Sequence, residues 1–139
     1  MIISRLIIIL GILAITYNVF AYGPYEADII RVLDGDTVEV RMHLYSGLNK
    51  IVKIRMDGIN APEVHTRRLC EKKQGLESKY RLEALLSAAN KITVEGVHEG
   101  KYAGRALGTI IADGVNTSDW MVNHGYAKPY HGGKRKPWC

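Results

Sequence analysis

Residues 27–45, ADIIRVLDGDTVEVRMHLY, carry the clearest structural pattern in the chain. From Val38 to Leu44 every second residue is apolar, which is the pattern of a strand with one buried face. The part before it, Ala27–Leu33, is rich in β-forming residues and ends at Asp34-Gly35-Asp36, a turn signal. The stretch therefore predicts two strands joined by a tight turn.

A third strand is predicted at Ile51–Met56, where apolar residues alternate with charged ones. Lys53, Arg55 and Asp57 share its polar face, and Pro62 follows shortly after its end. The strand therefore presents a row of charges to one side.

In the second half of the chain the spacing of apolar residues changes from a helical to a strand pattern and back to a short helix. Apolar residues at i, i+3, i+4 and i+7 predict a helix over Glu71–Ala89. Strand alternation returns at Ile92–Gly96, and a further β-rich run extends over Tyr102–Ala112. Thr117 or Ser118 is then placed to cap a short second helix.

The element order of three strands, helix, two strands and helix matches a five-stranded Greek-key OB-fold barrel. This is an α+β class dominated by β, with two or three helices. A small sandwich or an SH3-like barrel shares the order, so the pattern alone leaves both open. With 139 residues, the chain has room for one core, and we expect a single domain over residues 22–139.

The first 21 residues differ from the rest of the chain. An apolar run, Leu6–Ala14, follows Arg5 and gives way at Val19-Phe20-Ala21, which fits a secretory signal cut after Ala21. The run is shorter than the roughly 20 residues of a spanning helix. We expect residues 1–21 to be a signal peptide and the product to be exported, periplasmic or extracellular. An uncleaved membrane anchor and a buried core helix are the alternatives.

The composition is that of a globular protein with a basic excess. Hydrophobic residues make up 47% and charged residues 24%, which excludes disorder, collagen and coiled coil. The net charge of +5 favours a negatively charged partner. Basic residues cluster at Arg67-Arg68, at Lys72-Lys73 and at Lys134–Lys136, and the plainest interpretation of the last cluster is a solvated face.

The two cysteines, Cys70 and Cys139, both lie outside the predicted strands and after the predicted signal. An oxidising compartment would let them pair and tie the C-terminal tail to the body of the protein. Metal binding is less favoured, because neither cysteine has a second cysteine or a histidine at ligand spacing.

Several side chains are suited to binding a hard cation. Asp36, Asn60 and the Ala61 carbonyl could supply the carboxylate, amide and main-chain oxygens that calcium prefers. The plainer interpretations are a hairpin turn at Asp34–Asp36 and a loop cap at Asn60.

A second group is suited to phosphate chemistry. Arg55 and Arg105 present planar, permanently charged forks that match phosphate oxygens. Glu63 is the candidate to take a proton from water or to orient it. Singly, Arg55 could form a solvated ion pair with Asp57, and Arg105 and Glu63 could be surface charges. In combination and in this order, they are harder to explain that way.

In that order the motifs resemble the staphylococcal-type thermonucleases. The segments are VLDGDTVEV (Val32–Val40), KIRMDGINAPE (Lys53–Glu63), Gly75 and GKYAGRALGTIIADGVNTSDWMVNHGYAKPY (Gly100–Tyr130). The resemblance covers about Asp28–Tyr130 and implies an OB-fold barrel that hydrolyses DNA and RNA phosphodiesters with calcium. Members of this family are typically exported.

The resemblance also implies roles for individual residues. Asp36 matches the family's first calcium-binding aspartate and Glu63 its catalytic glutamate. Arg55 and Arg105 match its two catalytic arginines. Asn60 stands where a second calcium-binding aspartate is usual, so calcium should bind more weakly.

Two further departures concern neighbouring positions. Asp57 is a candidate to replace the missing carboxylate at position 60. Ala103 stands where a tyrosine often precedes the Gly-Arg pair, and Tyr102 is one position early, so that tyrosine's substrate contact is not carried over.

Barrels of this kind bind single-stranded nucleic acid through a basic groove and stacked aromatic rings. Tyr45, Tyr126 and Tyr130 are candidates for stacking, and Lys128 and Tyr130 for substrate binding. We expect single strands or frayed duplex as substrate and a monomer as the working form. The alternative function is a catalytically weak or inactive nucleic-acid-binding OB-fold module, which Asn60 favours. A structural or adhesive secreted domain would leave the arginine and glutamate set unexplained.

Overall fold

The structure is a computed structural model that describes residues 23–101 and 104–139. The predicted signal peptide, residues 1–21, lies outside the described residues, and so do Tyr102 and Ala103. Within the described part of the chain, no helix combines the length and the apolar character that crossing a membrane requires.

In the described part of the chain, five long strands form a closed barrel, with two helices and three two-residue strands around it. In chain order the elements are β1 (Tyr25–Asp34), β2 (Thr37–Tyr45), β3 (Leu48–Met56), β4 (Ile59–Asn60), α1 (Leu69–Ser87), β5 (Ile92–Glu99), β6 (Arg105–Ala112), β7 (Val115–Asn116), α2 (Thr117–Asn123) and β8 (Lys128–Pro129). The sheet runs β3-β2-β1-β5-β6-β7, and a parallel pairing of β3 with β6 closes it. The predicted OB-fold barrel of the α+β class is confirmed.

The alternation in β2 and β3 fills the barrel, as the sequence predicts. Val38, Val40 and Met42 of β2 are buried, and so are Ile54 and Met56 of β3. Because side chains on a strand alternate between its two faces, the charged residues between them point away from this core. The third strand begins three residues earlier than predicted, at Leu48.

Both helices lie close to their predicted positions. The helix predicted over Glu71–Ala89 is α1, which starts and ends two residues earlier and buries Leu82 and Leu86 against the barrel. The predicted cap of α2 is wrong, because the Asn116 side chain accepts the hydrogen bond from the Asp119 backbone N–H. The Thr117 hydroxyl instead donates to the Ile110 carbonyl, 2.8 Å away, and so ties α2 to β6.

The C-terminal segment returns to the barrel after α2. Strand β8 pairs with β4, placing Lys128 opposite Asn60. Beyond it the chain has no regular secondary structure and ends at Cys139, which forms a disulfide with Cys70 of α1 across 69 residues of sequence. The tail is therefore anchored at both ends.

Candidate active site

Asp36 and Arg55 form a buried ion pair at one end of the barrel. Their side chains are 7% and 11% exposed, and Arg55 Nη2 lies 3.3 Å from Asp36 Oδ2. Arg55 Nη1 also donates to the carbonyls of Met56 and Ile59, each at 2.9 Å. The guanidinium therefore binds the β1–β2 turn and the chain after β3 together, and its partner is Asp36 rather than Asp57.

The same carboxylate holds the segment that leads to Glu63. Asp36 Oδ2 accepts a hydrogen bond from the Ala61 N–H at 2.8 Å, and Oδ1 accepts one from the Thr37 hydroxyl at 2.9 Å. A Cβ at Gly35 would lie 2.7 Å from Ser78 Cβ and 2.9 Å from Ala61 Cβ. Only glycine lets the turn approach α1 and this segment so closely.

Asp34 is a site residue that sequence reasoning missed. Its Oδ1 accepts a hydrogen bond from the Asp36 N–H at 3.2 Å. Burial raises the pKa of Asp34 to about 8. The side chain of Asp36 adds to the rise through a hydrogen bond and its negative charge, whereas the hydrogen bond from the Asp36 N–H opposes it. The signal in the sequence was the pair of aspartates two residues apart in one turn, which is also a common turn composition. A cation beside Asp36 would favour the ionised form of Asp34.

Glu63 lies on the exposed side of the site. Its side chain is 47% exposed, and its Oε1 lies 3.4 Å from Nη1 of Arg135 in the C-terminal tail. Gly75 of α1 packs beneath it, since a Cβ there would lie 2.6 Å from the Glu63 carbonyl oxygen and 2.9 Å from that of Pro62. The helix thus positions the backbone that carries Glu63.

Arg105 lies in a cleft of about 430 Å³, where the parallel pairing of β3 and β6 puts it opposite Lys53. We call this the Arg105 cleft; it is lined by Leu33, Asp34, Thr37, Lys53, His65, Gly104 and Arg105. The cleft brings Arg105 together with Asp34 of the β1–β2 turn. Lys53 and His65 were not predicted as site residues, although the charged face of β3 was a signal for Lys53.

The predicted substrate-binding residues Lys128 and Tyr130 lie in a second cleft, of about 600 Å³. We call this the tail cleft; it is lined by Asn60, Lys128, Pro129, Tyr130, His131, Gly132, Lys134, Arg135 and Lys136. The Tyr130 hydroxyl donates to the Gly133 carbonyl at 2.8 Å. This cleft joins the predicted metal ligand Asn60 to the basic C-terminal tail.

The other stacking candidates have different surroundings. Tyr45 is 79% exposed at the end of β2. Tyr126 packs against Trp120, with ring centroids 6.0 Å apart, and the Arg81 guanidinium lies 5.5 Å from its ring. Tyr45 is thus accessible to a base, whereas Tyr126 already contacts other side chains.

The oxygen atoms predicted to hold a cation fit that role in part. Asn60 is 6% exposed, and its side-chain oxygen finds no hydrogen-bond partner among the described residues. A buried oxygen in this state is costly unless a ligand or ion satisfies it. Residues 23–101 and 104–139 contain no cluster of three or more His, Cys, Asp or Glu suited to a metal. The candidate site instead combines one carboxylate, Asp36, with amide and carbonyl oxygens, which calcium accepts.

Asp57 does not take the place of the missing carboxylate. Its Oδ2 lies 3.7 Å from His98 Nδ1, and its backbone N–H donates to the Gly108 carbonyl at 3.0 Å. Asp57 therefore faces β5 and β6 rather than Asp36.

Comparisons with known proteins give the family of the chain. Residues 53–137 match the family described as "Staphylococcal nuclease homologue". A protein of Bacillus subtilis (strain 168) named "Endonuclease YhcR" is 38% identical over 117 residues, which are 79% of this chain and 9% of that protein. Two proteins, from Escherichia coli O157:H7 and Escherichia coli, each named "Uncharacterized endonuclease", are 38% identical over 119 residues. That alignment covers 81% of this chain and 68% of each relative.

The barrel and these comparisons place the chain in a class of proteins whose named relatives are endonucleases. The chain belongs to the staphylococcal nuclease homologue family. It spans a small part of the Bacillus protein, so the relative's name describes a much longer chain.

Proposed function

We propose that the protein is a calcium-dependent endonuclease that hydrolyses DNA and RNA with little sequence preference. The observation that carries this proposal is the buried Asp36–Arg55 pair, which fixes Ala61 two residues before the exposed Glu63. The β1–β2 turn with its carboxylate and β3 with its arginine are thereby held against the segment that carries Glu63, an accessible acceptor for a proton. The names of the endonuclease relatives support the same reaction.

Glu63 is proposed as the general base or the group that orients the attacking water. The water proton passes to the Glu63 carboxylate as oxygen attacks phosphorus and the phosphorus–oxygen bond to the leaving group breaks. Its exposed position leaves the carboxylate open to water and to a strand. A positioned base of this kind contributes roughly 10²–10⁴-fold to a rate.

Arg55 and Arg105 are proposed to stabilise the charge that builds on the phosphoryl oxygens. Arg55 Nη1 donates to the carbonyls of Met56 and Ile59, and Nη2 lies 3.3 Å from the Asp36 carboxylate. The Nε–H of Arg55 makes no hydrogen bond among the described residues and is proposed to donate to a phosphate oxygen. Arg105 approaches from the other strand of the closing pair, beside Asp34 in the Arg105 cleft.

Calcium would be held by Asp36, Asn60 and the Ala61 carbonyl, where it would supply positive charge beside the phosphate. The buried Asn60 oxygen supports this placement. Asp34 lies two residues from Asp36 and would also feel the cation's charge, which favours the ionised form of Asp34.

The test is cleavage of single-stranded and duplex DNA and of RNA, with calcium or with EGTA, by the protein and its Glu63→Gln variant. Glu77→Gln is the matched control, because Glu77 is an exposed glutamate on α1 outside both clefts. We expect faster cleavage of single strands and a loss of about 10²–10⁴-fold in turnover for Glu63→Gln alone, with strand binding nearly unchanged. Strand binding without calcium-stimulated cleavage would instead identify a catalytically inactive binding module.

We further propose export, with cleavage after Ala21 and a monomeric product over residues 22–139. The observation that supports export is the Cys70–Cys139 disulfide, since disulfides persist mainly in oxidising compartments. N-terminal sequencing of the protein from culture medium or periplasm should begin at Tyr22. Recovery of the protein in the membrane fraction with Met1 intact would contradict cleavage and indicate anchoring.

A further inference from the structure

The last nine residues, 131–139, form a strap that crosses the exposed side of the candidate site. We call them the C-terminal strap. The strap has no regular secondary structure, and eight of its nine residues are exposed. A terminal segment with this character is ordinarily poorly ordered unless something ties it down. Several contacts tie this one down.

The disulfide between Cys70 and Cys139 fixes the far end of the strap to α1. Lys128 Nζ donates to the Pro137 carbonyl at 3.3 Å and lies 4.3 Å from the centre of the Trp138 ring. At the near end, the Tyr130 hydroxyl donates to the Gly133 carbonyl. The segment between these two anchors carries the basic cluster Lys134–Lys136.

These contacts hold positive charge next to the candidate site. The lining of the tail cleft includes Lys128 and the three basic residues of the cluster, and it contains no Asp or Glu. Its floor includes Asn60, a predicted metal ligand. Arg135 reaches Glu63 at 3.4 Å, so the strap borders the group proposed to activate water.

We propose that the C-terminal strap is a binding subsite for the sugar-phosphate backbone of the substrate strand, beyond the phosphate that is cleaved. Lys134 and Lys136 bind the backbone phosphates, and the disulfide holds them in place. The proposal rests on the proposed nuclease function for the identity of the ligand. It assigns a role to a basic cluster that the sequence alone presents as a solvated face.

A polynucleotide fits this cleft better than other anionic ligands. Lysine ammonium groups are point charges suited to a flexible chain of phosphates, and binding to phosphates through such groups carries no sequence information. The cleft also borders the site where a phosphodiester would be cleaved, because its lining includes Asn60 and Arg135, and Arg135 contacts Glu63. An acidic protein surface would account for the lysines but not for the presence of Asn60, a predicted metal ligand, in the same lining.

The first experiment measures binding, so it does not depend on cleavage. Anisotropy of a fluorescent single-stranded 12-mer is titrated in EDTA at several salt concentrations with the full protein and with Lys134→Gln/Lys136→Gln. Lys72→Gln/Lys73→Gln is the matched control, because those exposed lysines line a groove on α1 that shares no residue with the tail cleft. Both double variants remove the same charge.

Loss of two phosphate contacts should weaken binding by about 10- to 30-fold near 0.1 M salt and reduce the salt slope by about 1.4. The control should change binding by less than about threefold, because Lys72 and Lys73 do not line the tail cleft. Equal effects in the two double variants, or no effect in either, would overturn the subsite. If the protein binds the 12-mer but cleaves nothing, the nuclease proposal fails while the strap is still judged by this comparison.

The second experiment tests whether the disulfide positions the subsite. Cys70→Ser/Cys139→Ser frees the end of the strap, and the lysine substitutions are repeated in that background as a double-mutant cycle. Lysines on a freed tail bind the nucleic-acid strand less tightly. The lysine substitutions should therefore weaken binding of the 12-mer by less than half the fold-change seen in the disulfide-bonded protein. Equal fold losses in both backgrounds would show that the tether does not position the lysines.

A substrate-length comparison separates the subsite from a general effect on the reaction. For cleavage, Lys134→Gln/Lys136→Gln should raise KM for the 12-mer by about 10-fold and leave KM for a dinucleotide nearly unchanged. A dinucleotide spans the cleaved phosphate alone and cannot reach the strap. A fall in kcat on both substrates would overturn the proposal, because it would place these lysines in the reaction step.

Discussion

The buried and exposed sides of the candidate site are built in different ways. On the buried side, Asp36 and Arg55 are 7% and 11% exposed, and their contacts connect the β1–β2 turn, the end of β3 and the segment at Ala61. On the exposed side, Glu63 and Arg135 are 47% and 51% exposed and meet at 3.4 Å. The first pair lies inside the fold, and the second joins the barrel to its tail.

This difference separates residues whose loss should affect both stability and activity from residues whose loss should affect activity alone. Removing one partner of a buried charge pair leaves an uncompensated charge and is strongly destabilising. An exposed pair contributes about 0–1 kcal/mol, because water and salt screen it. Variants on the two sides of the site should therefore behave differently even where both lower the rate.

The largest expected effect comes from the two arginines. Arg55→Lys and Arg105→Lys keep the charge but lose the planar fork, so each should lower kcat by about 10²-fold or more. Arg55→Lys should also lower the free energy of unfolding by about 2 kcal/mol, since a lysine cannot reach Asp36, Met56 and Ile59 together. Arg105 lies in an open cleft, and its variant should stay within about 0.5 kcal/mol.

Urea unfolding and steady-state kinetics on the same preparations check both parts of this prediction. Near-normal rates in both lysine variants would remove the arginines from the reaction. Equal losses of stability would contradict the contrast between a buried and an open arginine.

The second largest effect is expected at Gly75, where α1 packs against the backbone of Pro62 and Glu63. Glycine to alanine in a helix is ordinarily stabilising by about 1 kcal/mol. A Cβ at this position would meet the carbonyl oxygens of Glu63 and Pro62 at 2.6 and 2.9 Å, both of them backbone atoms. Gly75→Ala should therefore reverse the usual sign, lower the free energy of unfolding by about 1–3 kcal/mol and reduce kcat by moving Glu63.

Ser87→Ala, at the exposed end of the same helix, is the control for helix propensity. Thermal unfolding of both variants shows whether Gly75→Ala raises or lowers the stability of the protein. A stabilised Gly75→Ala protein would mean that the Pro62–Glu63 backbone moves away at little cost.

A smaller effect is expected from the amide in the predicted calcium site. Asn60→Asp adds a second carboxylate near Asp36, and calcium affinity depends partly on the number of charged ligands. The variant should bind calcium several-fold more tightly by calorimetry and reach half-maximal activity at lower calcium. Asn123→Asp adds the same charge on the exposed face of α2 and should leave calcium binding unchanged. Equal or weaker binding by the Asn60→Asp variant would show that another group already supplies the charge.

The sequence predicts the barrel well because its strands alternate clearly and its helix keeps a regular period. Local sequence motifs also predict features formed by neighbouring residues, such as the turn that contains Asp36. The cap of α2 was misplaced because three residues in succession, Asn116 to Ser118, are all suitable caps. Which of them acts depends on the Thr117 contact with β6, which only the folded chain provides.

The contacts that the sequence did not predict join distant segments. Arg55 was expected to bind phosphate, and local pattern gave no sign of its partner Asp36. Arg135 and Glu63 are 72 residues apart, and their contact depends on the tail's course. The clefts likewise bring together residues from several elements, so neither their lining nor the raised pKa of Asp34 follows from any one motif.

The smallest expected effect on stability comes from His43, which forms an exposed set of hydrogen bonds away from the candidate site. His43 Nδ1 lies 2.8 Å from Asn49 Oδ1, and Nε2 lies 2.9 Å from Asp28 Oδ2. These hydrogen bonds, to Asn49 first and then to Asp28, raise the pKa of His43 above its ordinary 6.5. The protonated ring can donate to both oxygens, whereas the neutral ring has a single N–H.

Because the pKa is raised in the folded state, the stability that His43 contributes is fully present below pH 6.5 and is lost as the pH rises through the raised value. His43→Gln should therefore lower the urea midpoint slightly at pH 5.5 and leave it unchanged at pH 8.5. The control is His124→Gln at the end of α2, whose ring bonds the Trp120 carbonyl, stacks on the Trp120 ring and forms no ion pair with a carboxylate among the described residues. A midpoint shift of the same size at both pH values would mean that His43 acts through packing, and that this exposed ion pair contributes nothing measurable.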